Sequence, residues 1–232
     1  MARQTSDGGY VIATSSSPNC LWLIKTDSAG DIVWDKTFDI GTYGIDTEAQ
    51  ETSDGGYVVV GASSTSSLQL LLIKTDTNGN KVWANTYGST SGTADGQRVQ
   101  QTSDGGYILT ALASGSPGIW LVKTDSSGVK SWEKTLPTWG GGTTAVWQTS
   151  SGEYLASSWD SLDGGATMDV PLIKTDSSGN ILWTKHYDTG LNDIPTDVQQ
   201  RSEGGYVIFA SAGSPGSTYS WIIKTDVNGN PE

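Results

Sequence analysis

The chain has 232 residues with 30 glycines, ten tryptophans and 35% hydrophobic residues, a composition typical of a turn-rich globular protein with a packed core. Its 25 acidic and 13 basic residues give a formal net charge of −12. This balance argues against nucleic acid or an anionic membrane as a partner, because both require a basic surface. A single cysteine, Cys20, and a single histidine, His186, exclude an intrachain disulfide and metal sites built from several Cys or His ligands.

The first element along the chain is the segment Thr5–Val11, TSDGGYV, and it returns four more times. The other copies are TSDGGYV at Thr52, TSDGGYI at Thr102, TSSGEYL at Thr149 and RSEGGYV at Arg201. An acidic residue and two glycines between β-rich segments predict a hairpin turn, because glycine tolerates positive φ. A phosphate-binding loop would need a following helix, and no helical period follows. The tyrosines of the motif are Tyr10, Tyr57, Tyr107, Tyr154 and Tyr206.

A lysine motif and then a tryptophan follow each turn motif in fixed order. The lysines of the sequence [LI]-[IV]-K-T-D are Lys25, Lys74, Lys123, Lys174 and Lys224. Nine residues after the first four lysines stand Trp34, Trp83, Trp132 and Trp183. Three anchors that recur about every 49 residues predict a repeat architecture. The approximate bounds of the five repeats are 1–43, 44–93, 94–141, 142–191 and 192–232.

Each repeat contains short segments rich in Val, Ile, Tyr and Trp, which favour β-strands. In the second repeat they are YVVVGA, LLLIKTD and KVWANTY, and a weaker strand precedes the turn motif, as in GQRVQQTS of the third repeat. Four antiparallel strands in a repeat of this length are typical of a propeller blade. We therefore predict an all-β, five-bladed β-propeller in a single domain over 1–232. The fifth repeat is too short for its outermost strand.

The pattern TSDGGYV…LIKTD…W resembles the DGGY-type β-propeller repeats of secreted or surface proteins of bacteria and archaea. The segment D-x-x-G-x-x-x-W, as in Asp27–Trp34, also resembles the tryptophan-docking motif of quinoprotein-type propellers, one residue shorter. The resemblance covers essentially the whole chain and implies an extracellular or cell-surface location. It implies a fold and not an activity, because propellers serve as lectins, hydrolases and scaffolds.

The KTD segments also predict turns, and the lysine before them predicts a structural contact. A calcium loop would place glycine sixth, whereas here it comes fourth, and too few oxygen ligands converge. A catalytic lysine would occur once, whereas this one recurs in every repeat. We expect its stem to lie over the tryptophan of the neighbouring strand and its ammonium to pair with an aspartate of the repeat.

An enzymatic function would depend on carboxylates that precede the inner strands. Asp46, Asp95 and Asp193 precede the inner strands of blades two, three and five, and glycosidases use paired carboxylates in a central funnel. The glycine-rich WGGGTTAVW segment interrupts this series in repeat four. Recurrence favours loop bracing as the role of these aspartates. His186 lies in a predicted outer strand, far from any funnel, which argues against a nucleophilic triad.

Repeat four departs most from the others and gives the candidate ligand site. Its inner strand carries Trp147 where the other repeats have Arg or Gln. Aromatic rings beside carboxylates suit sugar rings, although a larger loop that packs its tryptophan on the next blade is the alternative. Glutamine side chains of the inner strands would line a central channel, where they bind ligand or hold water. The candidates are Trp139, Trp147, Trp159, Asp160, Asp163, Gln100 and Gln199.

These features favour a non-catalytic binding or interaction module for a carbohydrate or a protein surface. A glycoside hydrolase-like enzyme with carboxylates at the funnel and a purely structural repeat domain are the alternatives. We expect no cofactor, no metal and no membrane insertion, since no apolar run approaches the ~20 residues of a membrane span. A monomer is expected, and the open edge of blade five offers a route to association.

Overall fold

A computed structural model describes residues 2–16, 20–39, 47–64, 68–88, 94–113, 118–138, 143–159, 167–214 and 216–232. These residues form 19 β-strands and no helix, and the strands belong to five antiparallel sheets. Nothing helical in the described ranges has the length and hydropathy to cross a membrane. The all-β prediction is therefore confirmed.

The strands of each sheet follow one another in chain order, so each sheet is a meander. Sheet one contains β1 (Ala2–Gln4), β2 (Tyr10–Ser16), β3 (Cys20–Thr26) and β4 (Ile32–Asp39). Sheet two contains β5 (Glu48–Glu51), β6 (Tyr57–Ser64), β7 (Leu68–Thr75) and β8 (Lys81–Tyr87). Sheet three contains β9 (Ala94–Gln101), β10 (Tyr107–Ala113), β11 (Ile119–Thr124) and β12 (Lys130–Leu136).

Sheet four contains β13 (Thr143–Gln148), β14 (Tyr154–Ser158), β15 (Val170–Thr175) and β16 (Ile181–Tyr187). Sheet five has three strands: β17 (Asn192–Gln200), β18 (Tyr206–Ser214) and β19 (Ser217–Thr225). The four four-stranded sheets and the three-stranded last sheet confirm the predicted strand plan, including the outermost strand that the fifth repeat lacks.

The chain divides into two compact units. The first comprises Met1–Gly115 and Val122–Trp132, and the second comprises Ser116–Leu121 and Glu133–Glu232. The first unit holds sheets one and two and most of sheet three, and the second holds sheets four and five. A single domain over 1–232 remains a prediction.

The second and third strands of the sheets supply the cores. In the first unit, Val11, Leu21 and Leu23 of sheet one pack with Val59 and Ile73 of sheet two. Such strands are covered on both faces, which is why LLLI in β7 is a continuous apolar run and does not alternate. The core of the second unit is built in the same way from Leu155, Val170, Leu172, Tyr206, Ile208 and Ile223.

The register between third and fourth strands places each motif lysine opposite a motif tryptophan. Lys25 pairs with Trp34, Lys74 with Trp83 and Lys174 with Trp183, and a β-bulge follows the lysine in each case. The lysine and the tryptophan that recur in the sequence are therefore cross-strand partners.

Candidate functional site

The TSDGGY segment forms the predicted hairpin between the first and second strands. In sheet one, the Thr5 N–H donates to the Gly9 carbonyl and the Gly8 N–H donates to the Thr5 carbonyl, both at 2.9 Å. The Asp7 carboxylate accepts hydrogen bonds from the Thr5 hydroxyl at 2.6 Å and from the Gly9 N–H at 3.0 Å. Asp7 therefore holds the turn together, and the same contacts recur at Asp54 and Asp104.

The motif lysine pairs with this aspartate in the first three repeats, as predicted. Lys25 Nζ lies 2.7 Å from Asp7 and also donates to the Thr26 carbonyl at 2.7 Å. The pairs Lys74–Asp54 and Lys123–Asp104 measure 3.0 and 2.8 Å. The lysine side chains are buried, whereas the aspartate side chains are exposed. Each ammonium therefore contacts the carboxylate of the turn from its buried side.

The two glycines of the motif have different roles. Gly8 has φ +83°, a conformation that favours glycine. A Cβ added to Gly9 would lie 2.1 Å from the Thr26 carbonyl oxygen and 2.7 Å from Lys25 Nζ. The second glycine is therefore needed for the close approach of the neighbouring strand and its lysine.

These contacts change the pKa of the turn carboxylates. Burial raises the pKa of Asp54, but hydrogen bonds from Thr52, Lys74 and Gly56 outweigh burial and lower it to about 2. The same balance lowers the pKa of Asp104 to about 2. These turn carboxylates are ionised near neutral pH.

Repeats four and five build the ion pair differently. Lys174 Nζ lies 2.7 Å from Glu153, which stands at the position of the second glycine. In repeat five, Arg201 donates to the Thr225 carbonyl at 3.3 Å and pairs with Glu203 at 2.7 Å. The fifth motif lysine, Lys224, is exposed. In repeat five, Arg201 of the turn therefore takes the place of the third-strand lysine.

Tryptophans of the fourth strands contact the next repeat. Trp34 packs edge-to-face on Tyr57, with ring centroids 5.4 Å apart, and a Cβ on Gly79 would lie 2.6 Å from the Trp34 ring. Trp83 has the same relation to Tyr107 and Gly128. The ring of one repeat thus docks on the tyrosine and the KTD-turn glycine of the next.

Side chains immediately before the turn motifs make a second link between repeats. The Glu51 carboxylate accepts the Ser6 N–H at 2.6 Å and the Ser6 hydroxyl at 2.8 Å. Gln101 accepts the Ser53 N–H at 2.7 Å. This role was not predicted, although the Glu or Gln that precedes the turn motif in every repeat was a visible signal.

An open groove with a volume of about 420 Å³ lies beside these contacts at the second and third repeats. Trp83 and the 60% exposed Val82 give it an apolar wall, and the Asp54 carboxylate lies on its polar side. The combination suits a ligand with both apolar faces and hydroxyl groups. The other lining residues are Ser53, Gly56, Lys74, Thr75, Asp76, Thr77, Gln101, Gly105, Tyr107 and Ser126.

The predicted tryptophan site of repeat four is only partly within the described residues. Trp147 is half-buried in β13 and packs against the core of the second unit, and its ligand-binding role remains a prediction. Trp159 is half-buried beyond the end of β14. Trp139, Asp160 and Asp163 lie outside the described residues.

The two predicted glutamines belong to different units. Gln100 is half-buried in β9 of the first unit. Gln199 is exposed in β17 of the second unit and donates to Asp197 at 3.0 Å. The ligand-binding role of both remains a prediction.

Of the three predicted carboxylates, only the side chain of Asp193 is described. It is fully buried and accepts hydrogen bonds from the N–H of Thr189 at 2.7 Å and from the hydroxyl of that residue at 2.8 Å. Asp193 therefore braces its loop. Asp46 lies outside the described residues, and only the backbone of Asp95 is described, in β9.

A fourth carboxylate, Glu48, was missed by the sequence analysis. It is fully buried in β5, pairs with the guanidinium of Arg3 and accepts the Val99 N–H at 3.0 Å. A glutamate inside a predicted inner strand, together with Arg3 where repeats two, three and five have Gln, was the available signal. Glu48 joins the inner strands of three consecutive repeats.

The KTD segments are hairpin turns, as predicted. Asp76 Oδ1 accepts the N–H groups of Asn78 at 2.9 Å and Asn80 at 2.8 Å, and the hydrogen bonds from Asn80 lower its pKa. The carboxylate therefore serves the turn. Within the described ranges, no three His, Cys, Asp or Glu side chains cluster so that they could hold a metal ion. His186 is exposed on the outer strand β16.

No family model and no curated protein sequence matches the chain. Among solved structures, it is similar to a putative exo-beta-1,3-galactanase from Bifidobacterium bifidum, with 9% identity, a TM-score of 0.55 and coverage of 99% of this chain and 88% of the other. It is also similar to a GH43 β-1,3-galactosidase, with 9% identity and a TM-score of 0.57. That match covers all of this chain and 57% of the other. A match to the tail fibre of Staphylococcus aureus phage P68, with 12% identity and a TM-score of 0.45, covers 95% of this chain and 48% of the other.

At such low identities, the likeness to the galactanase and the galactosidase concerns the fold alone. Together with the five antiparallel sheets, it assigns the chain to the five-bladed β-propeller class, with a last blade of three strands. The resemblance to the DGGY-type repeat family stays a prediction.

Proposed function

We propose that this protein is a non-catalytic binding module of a secreted or surface protein, and that it takes a neutral, hydroxyl-rich ligand such as a carbohydrate in the groove beside Trp83. The observation that carries the proposal is the pairing of an aromatic and aliphatic wall with hydrogen-bonding groups in that groove. Sugar rings bind through stacking on their apolar faces and hydrogen bonds to their hydroxyls. The extracellular location rests on the resemblance of the repeats.

The groove is held in place by the fold. Trp83 lies against Tyr107 and the glycine of the next KTD turn, and Asp54 is fixed by its hydrogen bonds to Thr52 and Lys74. The Asp54 side chain is nevertheless 64% exposed, so its carboxylate remains accessible to a hydroxyl. Side chains already fixed before binding lose less entropy when a ligand arrives.

Two carboxylates of the inner strands, Asp193 and Glu48, support binding over catalysis. Acid and base catalysis by two carboxylates requires groups that can reach a glycosidic bond and a water molecule. Asp193 and Glu48 are fully buried, and their oxygens accept hydrogen bonds from Thr189, Arg3 and Val99. These two residues serve the fold.

A glycoside hydrolase is the second candidate, because two of the similar structures are named as enzymes of β-1,3-linked galactose substrates. Asp46 and Asp95 would be its carboxylates. A β-1,3-galactan oligosaccharide is therefore the first ligand to test. Release of reducing ends from it, lost in Asp46→Asn and Asp95→Asn, would favour the hydrolase and contradict the binding module.

The binding test uses calorimetric titration with a panel of neutral oligosaccharides that includes the β-1,3-galactan fragment. Ser126→Trp places a bulky ring in the groove and is expected to weaken binding at least tenfold. Ser28→Trp is the matched control, since Ser28 is exposed at the same position of the KTD turn in repeat one. Equal binding by wild type and Ser126→Trp would place the ligand elsewhere, and no binding across the panel would favour a purely structural domain.

A further inference from the structure

The groove beside Trp83 has a carboxylate acceptor, Asp54, with one oxygen that can receive a further hydrogen bond. The donors to its Oδ1 are the Thr52 hydroxyl at 2.6 Å, the Lys74 ammonium at 3.0 Å and the Gly56 N–H at 3.1 Å. The other oxygen, Oδ2, lies 3.0 Å from the Lys74 ammonium, and the Asp54 side chain is 64% exposed. Because a carboxylate has about four lone-pair sites, Oδ2 has capacity for a donor on a ligand.

The groove also has an amide donor, the side chain of Gln101, whose orientation follows from its partner. Its Oε1 accepts the Ser53 N–H at 2.7 Å. A backbone N–H can only donate, so the amide oxygen faces Ser53 and the NH2 group points away from it. Within the described chain this nitrogen donates to the Gly105 carbonyl at 3.5 Å, which is longer than an ordinary hydrogen bond. The Gln101 NH2 group therefore has hydrogens available for a ligand.

The acceptor, the donor and an apolar wall lie together in the groove. Ser53, to which Gln101 is bonded, directly precedes Asp54, and all three line the groove. Trp83 and the 60% exposed Val82 form the apolar wall. A ligand group that fits all three features needs an N–H or O–H donor, an oxygen acceptor and an apolar part.

A hydroxyl group fits these features only in part, because its single oxygen is both donor and acceptor and carries no apolar part. An acetamido group, the N-acetylamino substituent of many sugars, carries the three on separate atoms. Its N–H is a donor, its carbonyl oxygen is an acceptor and its methyl group is apolar.

We propose that the Trp83 groove selects sugars that carry an acetamido group. The acetamido N–H donates to Asp54, and the acetamido carbonyl accepts from Gln101. The methyl group packs on Val82 and Trp83. This preference rests on the proposed carbohydrate-binding function and specifies the class of sugar. Gln101 is then the residue that determines specificity, because it supplies the donor for the acetamido carbonyl.

The chain itself contains the variant that tests Gln101. One repeat earlier, Glu51 accepts the Ser6 N–H at 2.6 Å, as Gln101 accepts the Ser53 N–H. A glutamate at this position thus keeps the link between repeats, whereas an ionised carboxylate has no hydrogen to donate. Gln101→Glu therefore removes the donor from the groove and keeps the bond to the backbone.

The test compares pairs of sugars that differ only in the group at carbon 2, titrated calorimetrically into the 232-residue protein. Chitotetraose has acetamido groups where cellotetraose has hydroxyls, and methyl N-acetylgalactosaminide differs from methyl galactoside in the same way. The acetylated member is expected to bind at least tenfold more tightly in at least one pair, the effect of one or two net hydrogen bonds. Ser126→Trp should weaken that binding at least tenfold, because its ring fills the groove.

Gln101→Glu is expected to reduce the preference for the acetylated sugar to within about threefold, with little change in the affinity for its hydroxyl counterpart. Glu51→Gln, the reciprocal change one repeat earlier, is the matched control and should keep the wild-type preference. If Gln101→Glu does not fold, saturation-transfer NMR with the wild type takes its place. The acetyl methyl protons should then receive the strongest transfer of all ligand protons.

Equal affinity for the two members of both pairs overturns the acetamido preference and leaves the carbohydrate proposal in place. The preference is also overturned if it persists in Gln101→Glu, if it is insensitive to Ser126→Trp or if the acetyl methyl protons receive little transfer. Binding of the β-1,3-galactan fragment without binding of either acetylated sugar has the same meaning. No binding of any sugar contradicts the proposed function itself, and the preference with it.

Discussion

Lys74 shows how this protein keeps a charged side chain inside a sheet. Its side chain is only 8% exposed, yet its ammonium has two acceptors, the Asp54 carboxylate at 3.0 Å and the Thr75 carbonyl at 2.8 Å. A buried cation with hydrogen-bonded partners is tolerated, whereas removal of one partner leaves the others unsatisfied. The repeated lysine therefore has a structural role in each repeat that uses it.

Replacement of Lys74 by methionine is expected to lower the free energy of unfolding by about 1–3 kcal/mol. Methionine fills a similar volume, but the Thr75 carbonyl and the Asp54 carboxylate lose their donor. Urea unfolding followed by tryptophan fluorescence measures the change. Lys81→Met, at an exposed lysine of the same sheet, should change stability by less than about 0.5 kcal/mol. A Lys74→Met variant as stable as wild type would show that the pair contributes nothing.

At the residue scale, the sequence predicts the local role of a residue better than its long-range role. Positive φ was expected for the motif glycines, and Gly8 has it. The role of Gly9 depends on Lys25 and Thr26, which lie on another strand, so no local pattern indicates it. For the same reason Glu51 was missed, because its partner Ser6 lies one repeat earlier.

The hairpin turns are the elements that hold carboxylates with a lowered pKa. Asp54 and Asp104 have a pKa of about 2, below the ordinary value of 3.8, because donors from the turn and the motif lysine surround them. A carboxylate whose pKa is lower in the folded state stabilises the fold above its unfolded pKa. That contribution disappears as the pH falls through the folded value.

These carboxylates should therefore contribute full stability above about pH 4 and lose it progressively between about pH 4 and pH 2. Urea midpoints measured at closely spaced pH values give the slope. The double variant Asp54→Asn/Asp104→Asn should be less stable at pH 7 and should show a shallower decline below pH 4. Parallel curves for the variant and wild type would assign the acid sensitivity to other carboxylates.

At the element scale, strands and turns could be predicted because their signals are local. Segments rich in valine, isoleucine and tryptophan between glycine turns predicted the second, third and fourth strands of the sheets. The five copies of the turn motif predicted the number of sheets, which is five. The groove could not be predicted in this way. It is formed by Trp83 of one repeat and by Gln101, Gly105 and Ser126 of the next, and depends on how the two sheets pack.

The whole molecule is strongly acidic, with 25 acidic and 13 basic side chains. The net charge is −12 and the isoelectric point of the sequence is about 4.3. At neutral pH like charges on a compact chain repel one another, and the unfolded chain relieves that repulsion by expanding. Salt screens interactions between exposed charges over about 10 Å at 0.1 M ionic strength, and screens the buried ends of the lysine pairs much less.

An increase in NaCl from about 0.01 M to about 0.3 M at pH 7 is therefore expected to raise the thermal midpoint by about 2–4 °C, the change that about 1 kcal/mol produces in a chain of this size. Differential scanning calorimetry measures it. The control is the same salt series at pH 4.3, near the isoelectric point. There the net repulsion has gone, whereas chloride binding and the effect of salt on surface tension remain. The thermal midpoint should therefore change little. A thermal midpoint that falls with salt at pH 7 would mean that attractive surface pairs outweigh the net repulsion. A rise of equal size at both pH values would assign the effect to the salt itself.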